Sequence, residues 1–295
     1  MNKPIKTAVI SCAGFGTRFL PISKTIQKEM LPILNRPVLD YIVSDCMTAG
    51  ITRFVMVINE HNYQPLHYFR ENLRLKQYLT EKGKADLYQQ VTRFPGNCEF
   101  IFVKQIDSDP YGTSIPLKLA QSALQDEDAF LYITGDDFVF YPDAHRSFFL
   151  ELIKTFQESN AQAVMSCIEV PKQQIGQFGI IETHRANQHW VLDSLIEKPD
   201  PSTSTSNLAN ISKYVFTHSI LEMVNQQTIN PTSGEFYITD ALIQLNQRSP
   251  VVVHQSDGKY LNAGDPVSWL KANLIVAGAD PQLKNHLQQF LAENW

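Results

Sequence analysis

Residues 8–33 of the chain read AVISCAGFGTRFLPISKTIQKEMLPI. The run opens with apolar residues that do not alternate with polar ones, the pattern of a short strand covered on both faces. Directly after it, Gly14-Phe15-Gly16 lets backbone N–H groups approach an anion with no Cβ in the way. Thr17 adds a hydroxyl and Arg18 a fixed cationic fork, so a phosphate group suits this loop. The spacing belongs to neither familiar phosphate loop: G-x-x-x-x-G-K-[ST] is absent, and G-x-G-x-x-G fails because residue 19 is Phe. A dinucleotide-binding or P-loop enzyme is therefore disfavoured. On the three-residue pattern alone, a tight turn out of the strand is the simpler reading.

Further apolar runs rich in β-branched residues recur at 53–59, 98–103, 129–135 and 163–170. Helical spacing fills the intervals: residues 37–51 end at Gly50, a candidate C′ residue, and 114–125 and 147–160 repeat the pattern. This order predicts an α/β fold with a mostly parallel sheet, and such sheets bind ligands at the carboxyl ends of their strands. The glycine loop sits at that place. From about Gly176, FGIIET, HWVLDSLIEKP and SKYVFT alternate better and predict a smaller mixed or antiparallel part facing the same cleft. PDPSTSTSN (199–207) reads as a surface loop. In the tail, Leu283, Leu287, Phe290 and Leu291 form an apolar stripe. Such a stripe docks on its own domain, the more common outcome, or pairs with a second subunit.

A net charge of -5 offers no general attraction to nucleic acid, so an anionic ligand must be held by local charge. Cys12, Cys46, Cys98 and Cys167 are scattered, with no C-x-x-C and no histidine at ligand spacing. That usage argues against a disulfide framework or a zinc site and for a reducing cytoplasm. The first apolar stretch is too short to span a membrane and leads into the glycine loop instead of a cleavage pattern, so neither export nor membrane insertion is expected.

The whole run G-F-G-T-R-F-L-P-x-S-K-x-x-x-K-E-M-L-P-I (14–33) resembles the signature of the sugar-1-phosphate nucleotidyltransferases. Its K-E-M-L-P form is similar to the bacterial-type UTP–glucose-1-phosphate uridylyltransferases. The likeness continues through R-P-V-L-D-Y-I-V (36–43), G-D-D (135–137), F-G-I-I (178–181), E-K-P (197–199), S-G-E-F-Y-I-T-D-A (233–241) and L-N-A-G-D-P (261–266). Several motifs in the right order carry far more weight than any one of them.

The resemblance implies a Rossmann-like nucleotidyltransferase fold with a mostly parallel central mixed sheet and a smaller sugar-binding part. One domain would cover 1–295: a nucleotide-binding part over about 1–170, a sugar-phosphate part over about 171–270 and a helical segment over about 271–295. It implies transfer of a uridylyl group from UTP to glucose 1-phosphate with Mg²⁺, in a homo-oligomer, dimer or tetramer. Arg18 and Lys28 would lie on the triphosphate, with Gly16 and Thr17 in close contact and Lys24 as a possible helper. Ala13 and Gly14 would face the base, and Glu29 and Gln105 would give base and ribose polar partners. Asp136 would hold Mg²⁺ while Asp137 turns away or orients a water; Asn262 would be a second ligand. Gly179 would leave room for the hexose, Glu197 would bind its hydroxyls, and Lys198 its phosphate. Glu235 would orient something at the sugar site. Thr239 and Asp240 read as caps of a helix starting at Asp240.

Departures from the family pattern keep two alternatives open. Gln27 replaces the proline usual before K-E-M and is expected to loosen the loop carrying Lys28. Asp109-Pro110-Tyr111-Gly112-Thr113 stands where the family has K-G-L-G-H, so Pro110 brings bulk and removes a donor. Ser212 falls where a small glycine often lines the sugar pocket. Asn262 replaces an aspartate and neutralises less of a metal's charge. A nucleotidyltransferase for another substrate pair, such as one using dTTP, and a catalytically weak nucleotide-sugar-binding paralogue both accommodate these changes.

Overall fold

The computed structural model describes residues 4–91, 94 and 97–294. The chain begins with β1 (Thr7–Cys12), a short hairpin of β2 (Pro32–Ile33) and β3 (Arg36–Pro37), then α1 (Val38–Thr48) and β4 (Arg53–Asn59). Three short helices, α2 (Gln64–Phe69), α3 (Leu73–Glu81) and α4 (Ala85–Gln89), lead to β5 (Glu99–Gln105), α5 (Ile115–Ala120), β6 (Ala129–Thr134), β7 (Asp137–Phe140) and α6 (Phe148–Ser159). The later half contains β8 (Ala163–Glu169), β9 (Gly179–Ala186), β10 (His189–Glu197) and β11 (Leu208–Thr217), then α7 (Ser219–Gln226) and α8 (Ile238–Arg248). It ends with β12 (Val252–Gln255), β13 (Lys259–Asn262), α9 (Pro266–Ala279) and α10 (Pro281–Asn294).

Nine strands form one sheet in the order β5-β4-β1-β6-β11-β8-β12-β10-β9. The sheet is mixed, as the resemblance implies, but not mostly parallel: β5, β4, β1 and β6 run parallel, whereas β11 pairs antiparallel with both β6 and β8. Beyond β8 only the β8–β12 pair is parallel, and β9 curls back to pair with the start of β11. Strand polarity is set by the connections. Helical crossovers return the chain in the same direction in the first half, and the β9–β10 hairpin reverses it in the second.

Alternation within β1 shows why its apolarity is continuous. Ala8 and Ile10 pack with Leu39, Ile42 and Cys46 of α1, while Val9 faces the opposite core with Leu117 of α5 and Leu242 of α8. Both faces are covered, so neither needs polar residues. Helix α1 stops where Gly50, at φ 91°, takes the C′ position expected of it. Helix α6 begins with the Ser147 hydroxyl accepting from the Leu150 N–H at 3.2 Å.

The tail helix touches α9 of its own chain and leaves Leu287 half-buried. Helix α10 buries no residue, and Leu283, Phe290 and Leu291 remain exposed. No described helix is long and apolar enough to cross a membrane.

Candidate active site

The parallel strands deliver their carboxyl ends to one edge. β1 hands over to Ala13 and Gly14, β5 ends on Gln105, and β6 leads through Gly135 to Asp136. The Gly135 N–H donates to the Ser11 carbonyl at 3.0 Å, which locks the β1 and β6 ends side by side. Lys28 and Glu29 arrive on a 3₁₀ turn over Lys28–Met30. With Tyr111 these residues enclose a slot of about 150 Å³. Glu29 is 1% exposed, its Oε2 has no hydrogen-bond partner among the described residues, and burial pushes its carboxyl up to about 7 with Asp136 adding to the effect. A carboxyl that titrates near neutrality and the Gln105 amide are the polar lining that a base with donors and acceptors on its edge requires. Gln105 Nε2 is oriented by donating to the Pro110 carbonyl at 3.3 Å.

Gln27 does not loosen this region. Its backbone N–H, which a proline would lack, donates to Gln64 Oε1 at 2.8 Å, and its side-chain amide donates to the Cys12 carbonyl. The replacement ties the Lys28 turn to β1 by hydrogen bonds where the family uses a rigid ring.

Lys28 Nζ donates to Asp136 Oδ2 at 2.7 Å. Burial pushes the Asp136 carboxyl up, but the charge and hydrogen bond of Lys28, with help from Lys213, outweigh it and hold the group below its ordinary range. Burial likewise works against the Lys28 ammonium, and Asp136 and Glu29 overcome it, so Lys28 stays protonated. Asp137 turns away. Lys213 and the Tyr260 hydroxyl both donate to it, and Thr134 Oγ1 donates at 3.1 Å. Lys213 is 1% exposed, so the side chain pointing inward from β11 supplies the charge that a second buried carboxylate needs. Sequence reasoning missed both partners, and the one available signal for Lys213 was its place directly before the apolar run YVF.

On the other side of Asp136 lies a hollow of about 260 Å³ that holds Arg18, Gly179, Glu197, Ser212 and Asn262. Slot and hollow share Thr113, Thr134 and Asp136. The pairing of β13 with β7 places Asn262 opposite Asp137, and the Ala263 N–H donates to the Asp136 carbonyl at 3.0 Å. Asn262 Oδ1 accepts from the Gly264 N–H at 2.6 Å. A Cβ on Gly264 would lie 2.8 Å from Asn262 Oδ1, 3.0 Å from Arg18 Nη2 and 3.3 Å from Asp136 Oδ2. Two hard oxygen donors and a guanidinium thus converge over a bare backbone. That donor set fits Mg²⁺, which typically takes one or two protein oxygens and completes its shell with phosphates and water.

The remaining residues divide between the cavities. Gly179 lets Glu197 Oε2 approach to 2.9 Å of the position a Cβ would take. Ser212 has left-handed backbone at φ 53°, a conformation that favours glycine, with its N–H donating to Asn210 Oδ1 at 3.0 Å. Glu235 lines the slot instead of the hollow. Thr17 and Lys24 line an outer groove that Gly14 also borders, whereas Gly16, at φ 63°, turns the chain just ahead of Thr17 and does not line it. Lys198 stands 64% exposed, 3.9 Å from Glu197 Oε1, and lines neither cavity. Helix α8 starts at Ile238, not Asp240, so Thr239 is not its cap; Thr113 Oγ1 accepts from the Ile238 N–H at 2.9 Å. A larger concavity of about 860 Å³, lined by Phe178 and Tyr260 among others, contains none of the predicted site residues. Converging charge, not size, identifies the site.

Residues 7–278 match the nucleotidyl transferase family model. The UTP–glucose-1-phosphate uridylyltransferase of Staphylococcus haemolyticus is 31% identical over 292 residues, covering 99% of both chains. That of Bacillus subtilis is 29% identical over 290 residues, covering 98% of this chain and 97% of the relative. Among solved structures, a UTP-bound UGPase from Acinetobacter baumannii superposes with a TM-score of 0.87 at 27% identity, covering 99% of this chain and 100% of the other. A UDP-glucose pyrophosphorylase complexed with UDP-glucose gives 0.78 at 26% identity, covering 94% and 100%. Full-length similarity and a site assembled from the family's own motifs agree, and the chain belongs to the nucleotidyl transferase family, among the bacterial UTP–glucose-1-phosphate uridylyltransferases.

Proposed function

We propose that this protein transfers the uridylyl group of UTP to glucose 1-phosphate, giving UDP-glucose and pyrophosphate. The observation that carries this reading is the position of Asp136, paired with Lys28, on the seam shared by a base-sized slot and a second hollow. Two substrates seated on either side would bring their phosphates together there. A phosphate oxygen of glucose 1-phosphate attacks the α-phosphorus of UTP, the bond to the α–β bridging oxygen breaks, and pyrophosphate leaves with that electron pair. No covalent enzyme intermediate is needed, so the protein's work is alignment and charge neutralisation.

In this scheme Gln105 and Glu29 hold the base against Ala13 and Gly14. Lys28 and Arg18 draw the α-phosphate and the departing pyrophosphate into line and offset the charge that grows during attack. Glu197 accepts from sugar hydroxyls, while Lys198 would have to swing inward to reach the sugar phosphate. Asp136 and Asn262 would hold Mg²⁺, which when bound draws electron density from the phosphate oxygens and lowers their mutual repulsion. Asp137 and Lys213 form the neutral support behind Asp136. Second copies of the chain are the partner that the exposed stripe on α10 suits.

The test is direct. Purified protein with UTP, glucose 1-phosphate and Mg²⁺ should release pyrophosphate and form UDP-glucose. No release above blank at micromolar enzyme refutes the reading, and faster turnover with dTTP than with UTP refutes the choice of nucleotide.

A further inference from the structure

Tyr111 stands on the loop between β5 and α5 with 46% of its surface exposed, and Phe15, 62% exposed, stands between the glycines of the phosphate loop. The two rings meet across the mouth of the site, centroids 6.2 Å apart and planes within 16° of parallel. Tyr111 lines the base-sized slot, whereas Phe15 lines the outer groove beside it. The Tyr111 hydroxyl reaches to 3.9 Å of the point where a Cβ on Gly14 would lie. The tyrosine's backbone is firmly held: the Phe236 N–H donates to the Tyr111 carbonyl and the Ser114 N–H to the Phe236 carbonyl, each at 2.9 Å. Between these bonds Gly112, at φ 129°, presses so closely on the Phe236 backbone that a side chain has no room.

We propose that Tyr111 is the stacking face for the nucleobase of the bound triphosphate, with Phe15 as the positioning residue that holds its ring over the slot. This rests on the uridylyl-transfer reading above. A slot of about 150 Å³ is smaller than the roughly 300–1,000 Å³ that encloses a drug-sized ligand, so it admits the base and leaves ribose and phosphates outside. Its polar contacts, Gln105 and Glu29, address the edge of a planar ring and leave the ring's face to be covered. Tyr111 is the aromatic side chain lining the slot, and its fixed backbone lets it cover that face with little loss of freedom. Stacking on an aromatic ring is tolerant of base identity, so Tyr111 supplies affinity and the edge contacts supply choice. Phe15 contacts Tyr111 and acts through it.

The experiment measures the UTP dissociation constant by calorimetry, and KM for each substrate, in Tyr111→Leu, Tyr111→Phe, Phe15→Ala and the Tyr111→Leu/Phe15→Ala double variant. Both side chains are exposed, so the variants should fold. Tyr111→Leu is expected to weaken UTP binding about tenfold and leave KM for glucose 1-phosphate within twofold. Tyr111→Phe should keep wild-type UTP affinity. Phe15→Ala should weaken UTP less than Tyr111→Leu does and add nothing in its background. Unchanged UTP affinity in Tyr111→Leu, or an equal loss for both substrates, overturns the stacking role and leaves uridylyl transfer standing. A wild-type protein that neither binds UTP nor releases pyrophosphate overturns both.

Discussion

Gly264→Ala adds a single methyl group at the point where the charged groups of the site converge. Gly264 is not in left-handed backbone, so alanine meets no conformational penalty there. The new Cβ would lie 2.8 Å from Asn262 Oδ1 and 3.0 Å from Arg18 Nη2, against an ordinary contact distance of about 3.5 Å. Asn262 Oδ1 must therefore retreat by roughly 0.7 Å and loosen its bond to the Gly264 N–H, and the guanidinium must shift by roughly 0.5 Å. Both are ends of side chains, so the fold should absorb the change within about 1 kcal/mol, part of it offset by the lower entropy of the unfolded alanine chain. Catalysis has less tolerance. Misplacement approaching 1 Å costs on the order of 100-fold in rate, about 2.7 kcal/mol of barrier. The assay is pyrophosphate release at saturating UTP and glucose 1-phosphate, run beside thermal denaturation. The expected result is a kcat about 100-fold lower with Tm changed by less than about 4 °C. A kcat within twofold of wild type would refute the claim that metal and phosphates occupy this notch, and a collapse of Tm would assign the glycine to the fold.

Three further outcomes follow from the same geometry. Glu29 is held protonated up to about pH 7 in the folded chain, against an ordinary value of 4.5, so the unfolded chain gives up this proton first as pH rises. Stability should therefore fall across that window by on the order of 3 kcal/mol. Glu29→Gln should flatten the urea-derived stability profile there, and an equally steep variant profile would contradict it. Lys213→Met leaves Asp137 buried without its counter-charge and should cost about 3–5 kcal/mol in chemical denaturation; a loss under about 1 kcal/mol would show that Tyr260 and Thr134 suffice. Asn262→Asp restores a full charge beside Asp136 and should lower the Mg²⁺ concentration for half-maximal rate by about tenfold, whereas an unchanged titration would remove Asn262 from the metal.

The sequence by itself determined the local features. The strand leading into Gly14-Phe15-Gly16, the helices following Pro37 and Ser147, and the placement of Asp136 after an apolar run all depend on residues within a few positions of one another. So did the family motifs, because each is a short contiguous pattern. Tertiary structure decided what depends on contacts between distant segments. The direction of β11 made the mixed sheet less parallel than expected, since strand polarity follows from how the chain returns, not from the strand's own composition. Gln27 became an anchor only because Gln64 and the Cys12 carbonyl lie against it. Lys213 could be recognised as the counter-ion of Asp137 only once β11 was seen to point it into the core. Tyr111 gained its place over the slot because Phe236, far away in sequence, fixes its backbone. Periodicity reports whether a residue faces inward; which group it meets there is set by burial and charge across the whole fold.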